Sequence, residues 1–308
     1  MSRKMMCALV ILFVLLFALP VRAQEGISED IGAGLINLLT YVEALFFVLL
    51  YVFVVALLFV QETHEKGGIE ITRNILTSKW FWLFEIFCGI VVLSLSLTSQ
   101  PEGVSRNVSK LVFLIGGIGA FLPLAILLVT AFISNIYKKN MLALVLSLVL
   151  WGVFASGVAL SMNYLFSRSI GMFVSGPGTS LMLALVLAPI FEEFVKGFGL
   201  VVLKRRQGIE GARMGILHGF CIGIGFSAME SWLYFTSVAS PFALGVLRWT
   251  HVLVYRAVFS TLGHGYFTSA LGASLGTAKE GNAMTRTAIG LACAAALHSA
   301  FNSTLIIP

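Results

Sequence analysis

Acidic and basic side chains inside long apolar runs are the feature of this sequence best suited to chemistry. The adjacent acids Glu192 and Glu193 are followed by Lys196, which stands at i+4 from the first and i+3 from the second. On a helix, one lysine at these spacings can neutralise only one of the two carboxylates. The other carboxylate is then free to act as a general base. A purely structural ion pair would need only one carboxylate, so the second acid indicates a chemical role.

Further polar residues follow on the next three apolar runs. Glu230 closes a Phe-x-x-x-Glu pattern that begins at Phe226, His264 stands alone in the next run, and His298 precedes Asn302 in the last. Because His298 and Asn302 are four residues apart, they share one face of a helix. An ionisable group at bilayer depth costs about 2.5–3.5 kcal/mol on insertion scales, so such residues indicate a functional site.

The elements that must position these residues are predicted to be transmembrane helices. The 308 residues are 58% hydrophobic and 11% charged, whereas soluble domains carry about 25% charged residues. This composition excludes an ordinary water-soluble domain. We predict an all-α fold, a polytopic membrane helix bundle of about eight transmembrane helices after a signal peptide. The predicted spans are 36–60, 80–98, 111–134, 141–165, 178–203, 214–237, 256–276 and 287–307.

The ends and loops of the chain predict its orientation. Residues 1–23 have the basic start, apolar stretch and A-x-A-like end of a signal peptide. We assign 24–170 to transmembrane helices 1–4 and 171–308 to the motif-bearing helices 5–8. One alternate set of loops holds 11 Lys and Arg residues and is therefore predicted to be cytoplasmic, with the mature N-terminus and the C-terminus outside. The net charge of +6 is thus explained by topology, and no nucleic-acid partner is expected.

Small residues predict close helix packing in the second half of the chain. Gly215, Gly219 and Gly223 stand at i, i+4 and i+8, a small-xxx-small face that lets a neighbouring helix approach.

The four motifs, in this order on successive helices, resemble the PrsW family of bacterial intramembrane proteases. That family belongs to the larger group of the CAAX prenyl endopeptidases and bacteriocin-processing enzymes, and the resemblance covers about residues 185–303. It implies a bacterial inner-membrane protein that hydrolyses a peptide bond of a membrane-anchored protein substrate, in some members an anti-sigma factor. The sequence predicts no particular oligomeric state.

The resemblance, together with position along the chain, assigns a role to each polar residue. Glu192 is expected to be the general base on a water that Glu230 or His264 helps to hold. His298 and Asn302 are expected to donate hydrogen bonds toward the oxyanion of the reacting carbonyl.

The remaining motif residues are expected to support the site. Glu193 is expected to pair with Lys196 and to complete the catalytic group. Phe226 and Arg256 are further supporting residues, and Arg256 is expected near the outer interface, where its side chain could snorkel.

Three alternatives to this mechanism remain open. A zinc ion held by Glu230, His264 and His298 is an acceptable ligand set, although there is no His-Glu-x-x-His pattern. The favoured mechanism requires no cofactor. A proton-coupled transporter could also use Glu and His residues, but the polar residues fall in one half of the chain only. A non-enzymatic membrane scaffold is the third alternative, and retention of every motif residue argues against it.

Overall fold

A computed structural model describes residues 106–133, 142–171, 177–205, 208–236 and 239–306. These residues are helical apart from short turns, and no β-strand occurs among them, which confirms the all-α prediction for this part of the chain. The predicted signal peptide and the predicted spans 36–60 and 80–98 lie outside the described residues.

The described ranges contain long helices joined by short turns and by two π-helical segments, Leu183–Leu187 and Arg256–Ser260. The α-helices are α1 (Arg106–Ile133), α2 (Leu142–Gly171), α3 (Pro177–Met182), α4 (Ala188–Arg205), α5 (Gly211–Thr236), α6 (Pro241–Leu244), α7 (Val246–Tyr255), α8 (Thr261–Gly276) and α9 (Ala283–Ile306).

Within the described residues, three helical segments are long and apolar enough to cross a membrane. They are Leu111–Ile133, Leu142–Ser167 and Gly211–Thr236, close to three of the predicted spans. The chain is therefore a membrane protein with at least these candidate spans, and the predicted total of eight stays a prediction. The other predicted spans in this region, 178–203, 256–276 and 287–307, are also helical, but the first is interrupted by a π-helical segment and the second begins in one.

Helix α5 is the centre of the bundle, and its glycine face lies directly against α8. A Cβ atom added to Gly215, Gly219 or Gly223 would collide with the backbone of α8, so only glycine allows this approach. The predicted small-residue packing face is therefore confirmed. The α8 carbonyl groups that these three glycines approach are those of Gly272, Thr268 and His264, respectively.

The π-helical segment before α4 has a cause in the sequence. Pro189 is the second residue of α4, and proline has no backbone N–H and crowds the carbonyl four residues before it. The N–H of Ala188 bonds to the carbonyl of Leu183, five residues back, instead of to Ala184. The turn widens at this point, two turns before Glu192, and π-helical turns of this kind are frequent at functional sites.

Candidate active site

Four helices bring the predicted polar residues together inside the bundle. Glu192 and Glu193 come from α4, Glu230 from α5, His264 from α8 and His298 from α9. All of these residues except Glu230 are buried. Residues from four separate helices thus form one polar cluster.

Glu193 is the most completely bonded member of this cluster. Lys196 Nζ donates to its Oε1 at 2.6 Å, and His298 Nδ1 lies 3.1 Å from the same oxygen. The other oxygen, Oε2, accepts a hydrogen bond from Thr268 Oγ1 at 2.9 Å. The side chains of Glu193 and Lys196 are both completely buried. The expected pair is present, and it leaves neither oxygen of Glu193 without a partner.

Lys196 also fixes the orientation of His264. Its Nζ lies 2.9 Å from His264 Nδ1 and 3.8 Å from the centroid of the Phe226 ring, which gives Phe226 the expected supporting position. An ammonium group has only donors, so His264 Nδ1 must accept. The ring hydrogen is then on Nε2, which faces Glu230 Oε2 at 2.9 Å.

Arg256 holds Glu230 from the other side. Its Nη2 lies 2.9 Å from Glu230 Oε2, and its guanidinium group stacks 4.3 Å from the centroid of the Tyr234 ring. The sequence suggests that Arg256 snorkels at the membrane interface. In the structure, Arg256 is instead buried in the bundle. The side chain of Glu230 is 32% exposed, so the cluster is open to its surroundings at this residue.

Glu192 is the acid with the fewest bonds. Its Oε2 lies 3.9 Å from Lys196 Nζ and 3.7 Å from His298 Nε2, and no hydrogen-bond donor among the described residues reaches this buried oxygen. Among the described residues, its Oε1 accepts a single long hydrogen bond of 3.5 Å, from Asn163 Nδ2. An unsatisfied buried carboxylate oxygen is costly, which makes Glu192 the group available for a water or a substrate.

The charges of the cluster are distributed unequally among its acids. Lys196 is closest to Glu193, and Arg256 pairs with Glu230. Glu192 is therefore the acid of the cluster that has no close, permanently charged partner among the described residues. The sequence predicts one unbalanced carboxylate, and in the structure Lys196 lies nearer to Glu193 than to Glu192.

Asn302 shares a face of α9 with His298, but its amide group binds elsewhere. Asn302 Nδ2 donates to the carbonyl of Ala184 at 3.0 Å, in the π-helical segment before α4. The neighbouring Ser299 Oγ donates to the carbonyl of Leu185 in the same segment. The structure thus brings Asn302 beside the cluster without bonding it to the predicted catalytic side chains.

Several residues of the site were missed in the sequence. Thr268 follows His264 by one helical turn, and Ser299 stands three residues before Asn302, so both could have been found by their spacing from motif residues. Asn163 lies on α2, outside any motif, and only the packing of α2 on α4 brings it to Glu192.

Glu192, His264 and His298 could together hold a metal ion. Each offers one ligand atom, and these atoms lie within 4.8 Å of one another. The carboxylate of this group is Glu192, whereas the sequence had suggested Glu230. Two imidazoles and a carboxylate fit the ligand types of a catalytic zinc ion. Both ring nitrogens of His264 already have partners, so binding an ion there requires one of these contacts to open.

Comparison with known proteins identifies a family whose profile covers the polar cluster. No curated protein and no solved structure gives a significant match to this chain. A protein-family profile, described as PrsW family intramembrane metalloprotease, matches residues 140–308, which include α2 to α9 and every residue of the cluster. This match spans more than half of the chain. The chain is therefore an intramembrane peptidase, and it belongs to the PrsW family of intramembrane metalloproteases.

Proposed function

We propose that this protein is an endopeptidase that cleaves a membrane-anchored protein within or beside the bilayer, with Glu192 as the general base. Membership of the family supports intramembrane proteolysis. The observation that carries the choice of base is that Glu192 Oε2 has no hydrogen-bond donor among the described residues and no charged neighbour nearer than 3.7 Å, whereas Glu230 Oε2 lies 2.9 Å from Arg256 Nη2. The adjacent Glu193 is fully bonded and is therefore a poor base, although the two residues are identical in type.

In the proposed reaction, Glu192 takes a proton from a water molecule whose oxygen attacks the carbonyl carbon of the scissile peptide bond. The C–N bond then breaks, and Glu192 passes the proton to the leaving amine. His264 and Glu230 hold the water. The 2.9 Å approach of His264 Nε2 to Glu230 Oε2 and the contact of Lys196 with Nδ1 support this assignment, because both keep the imidazole in one orientation.

His298 is the proposed donor to the oxyanion. Its Nδ1 bonds to Glu193, which directs Nε2 toward Glu192. Since Nδ1 donates to a carboxylate, Nε2 can donate as well only when both ring nitrogens carry protons. The proposed mechanism therefore requires a second ring proton on His298 at the moment when Glu192 accepts a proton from water.

Substrate and location complete the proposal. We assign the protein to a bacterial inner membrane with both mature termini outside, and a single-pass protein such as an anti-sigma factor as its substrate. The division of the chain at residue 171 and the signal peptide at 1–23 stay predictions of the sequence.

The test compares the N-termini of membrane and released protein fragments in cells that express the wild type or Glu192→Gln at equal levels. Glu210→Gln is the matched control, because Glu210 is an exposed acid outside the cluster. We expect new N-termini near the spans of single-pass proteins in the wild type and the control, and none in Glu192→Gln. Identical fragments in all three strains would favour a transporter or a scaffold instead.

Zinc-dependent hydrolysis is a second candidate, favoured by the grouping of Glu192, His264 and His298 and by the family description. These three side chains would hold the ion. When bound, zinc polarises a carbonyl group and lowers the pKa of its water. The contact of Lys196 with His264 Nδ1 supports the metal-free candidate instead, because the lysine supplies a positive charge inside the cluster.

A further inference from the structure

We propose that Asn302 and Ser299 are positioning residues that hold α9 on the π-helical segment before α4. In this role Asn302 acts through the placement of His298 rather than by touching the reacting carbonyl. The inference rests on the proposed function, since it concerns the alignment of Glu192 and His298.

The carbonyl of Ala184 lacks both its α-helical and its π-helical backbone donor. In an α-helix its partner would be the N–H of Ala188, but this group bonds to Leu183. In a π-helix its partner would be the N–H of residue 189, which is a proline and has none. Leu185 loses its α-helical partner for the same reason, because Pro189 is four residues ahead of it. Pro189 thus removes the π-helical donor of Ala184 and the α-helical donor of Leu185.

Side chains of α9 bind both of these carbonyl groups. Asn302 Nδ2 donates to Ala184, and Ser299 Oγ donates to Leu185. The acceptor is a carbonyl oxygen in each case, so the amide of Asn302 must present its NH2 group here. In an apolar environment an unpaired carbonyl group costs several kcal/mol, which gives both bonds a reason to persist.

These bonds set the register between the two helices that carry Glu192 and His298. Asn302 follows His298 by one turn on α9, and Leu185 precedes Glu192 by about two turns on the other helix. The two helices therefore contact each other at two levels. One level is formed by these bonds, and the other by His298 Nε2 and Glu192 Oε2, which are 3.7 Å apart. Loss of the bonds would let α9 shift, and this distance would no longer be fixed.

The first test measures hydrogen exchange of the backbone amides at 183–188 in the purified full-length protein. The variants are Asn302→Ala, Ser299→Ala and the control Ser303→Ala, whose hydroxyl bonds within α9 to Ala300. We expect exchange at 183–188 to accelerate about five-fold in the first two variants, as loss of a bond worth about 1 kcal/mol implies. We expect no change in the control. Unchanged exchange in Asn302→Ala would overturn the proposal.

The second test measures kcat/KM for cleavage of a transmembrane reporter by the same variants. A positioning role predicts that Asn302→Ala and Ser299→Ala each lose about five-fold, the same factor as in exchange. Removal of a donor to the oxyanion costs about 10²- to 10³-fold in kcat. A loss of this size in Asn302→Ala alone, with Ser299→Ala active, would contradict the proposal. Hydrogen exchange is read without substrate, so its result stands even if the proposed cleavage is wrong.

A third measurement uses the proline. Pro189→Ala restores an N–H group that can reach the freed carbonyl groups, so Asn302→Ala should accelerate exchange less in this background than in the wild type. An equal acceleration in both backgrounds would overturn the role given to Pro189, and with it the proposed positioning role of Asn302 and Ser299.

Discussion

The polar cluster has a closed half and an open half, and both contain a glutamate from the same helix. In the closed half, Glu193 accepts hydrogen bonds from both Lys196 and Thr268, and all three residues are completely buried. In the open half, Glu192 has an oxygen without a donor among the described residues, and Glu230 is partly exposed. Two adjacent acids of identical chemistry therefore differ in everything that decides reactivity.

This difference teaches that burial alone does not identify a catalytic carboxylate in a membrane protein. A buried acid whose oxygens are all bonded stabilises the fold, and breaking its pair is costly. A buried acid with a free oxygen keeps an unmet demand for a hydrogen bond, which water or substrate can meet. Substitutions in the two halves should therefore separate activity from stability.

The largest expected effect is on activity in the open half. Glu192→Gln should lower kcat by about 10²- to 10⁴-fold, because an amide cannot accept the proton of the water. Its folded fraction should stay close to that of the wild type, since the free oxygen contributes little to stability. Reporter cleavage and thermal unfolding in detergent measure the two quantities. If Glu192→Gln were destabilised but still active, Glu192 would have the structural role that we assign to the closed half.

Substitution in the closed half should act on stability first. Glu193→Gln leaves the buried ammonium group of Lys196 without its carboxylate, and breaking a buried pair in this way costs about 3–5 kcal/mol. We expect a lower yield of folded protein and a lower unfolding temperature, with Glu210→Gln as the exposed control. A variant that is as stable as the wild type and lacks activity would instead make Glu193 the reactive acid.

A smaller effect is expected at the partly exposed end of the open half. Arg256→Gln removes the charged group whose Nη2 lies 2.9 Å from Glu230 Oε2. We expect kcat/KM to fall about ten-fold, because Glu230 is then held less firmly beside His264. Arg256→Lys keeps the charge and should lose less. The exposed Arg248→Gln provides the control. Equal losses of kcat/KM in Arg256→Gln and Arg248→Gln would show that the ion pair between Arg256 and Glu230 does not contribute to activity.

The smallest expected effect is that of metal removal. In the favoured mechanism, Lys196 supplies the positive charge beside His264, so treatment with 1,10-phenanthroline should leave reporter cleavage unchanged. Metal analysis of the purified protein accompanies the assay. A loss of activity that zinc restores would establish the candidate in which Glu192, His264 and His298 hold the ion, and the free oxygen of Glu192 would then be a ligand.

Much of the helical fold follows from local properties of the sequence. Long apolar runs predict membrane helices because backbone groups in a bilayer must bond within the helix. The glycine spacing on α5 is also a local feature. It predicts a closely packed neighbouring helix, because glycine has no Cβ atom to keep the two backbones apart. The position of Pro189 indicates a distorted turn, although its use by α9 could not be foreseen, because the bonding side chains are more than a hundred residues away.

The sequence by itself determined the inventory of the site: the helices that carry its acids and histidines, their order, and an excess of one carboxylate over the nearby lysine. Helix spacing by itself left open which of the two carboxylates Lys196 pairs with, and only the tertiary structure shows the partners of each oxygen. Glu193 accepts a hydrogen bond from Thr268 on α8, whereas Glu192 accepts one from Asn163 on α2. Helix geometry is local and can be read from spacing, whereas the partners of a buried charge depend on how separate helices pack.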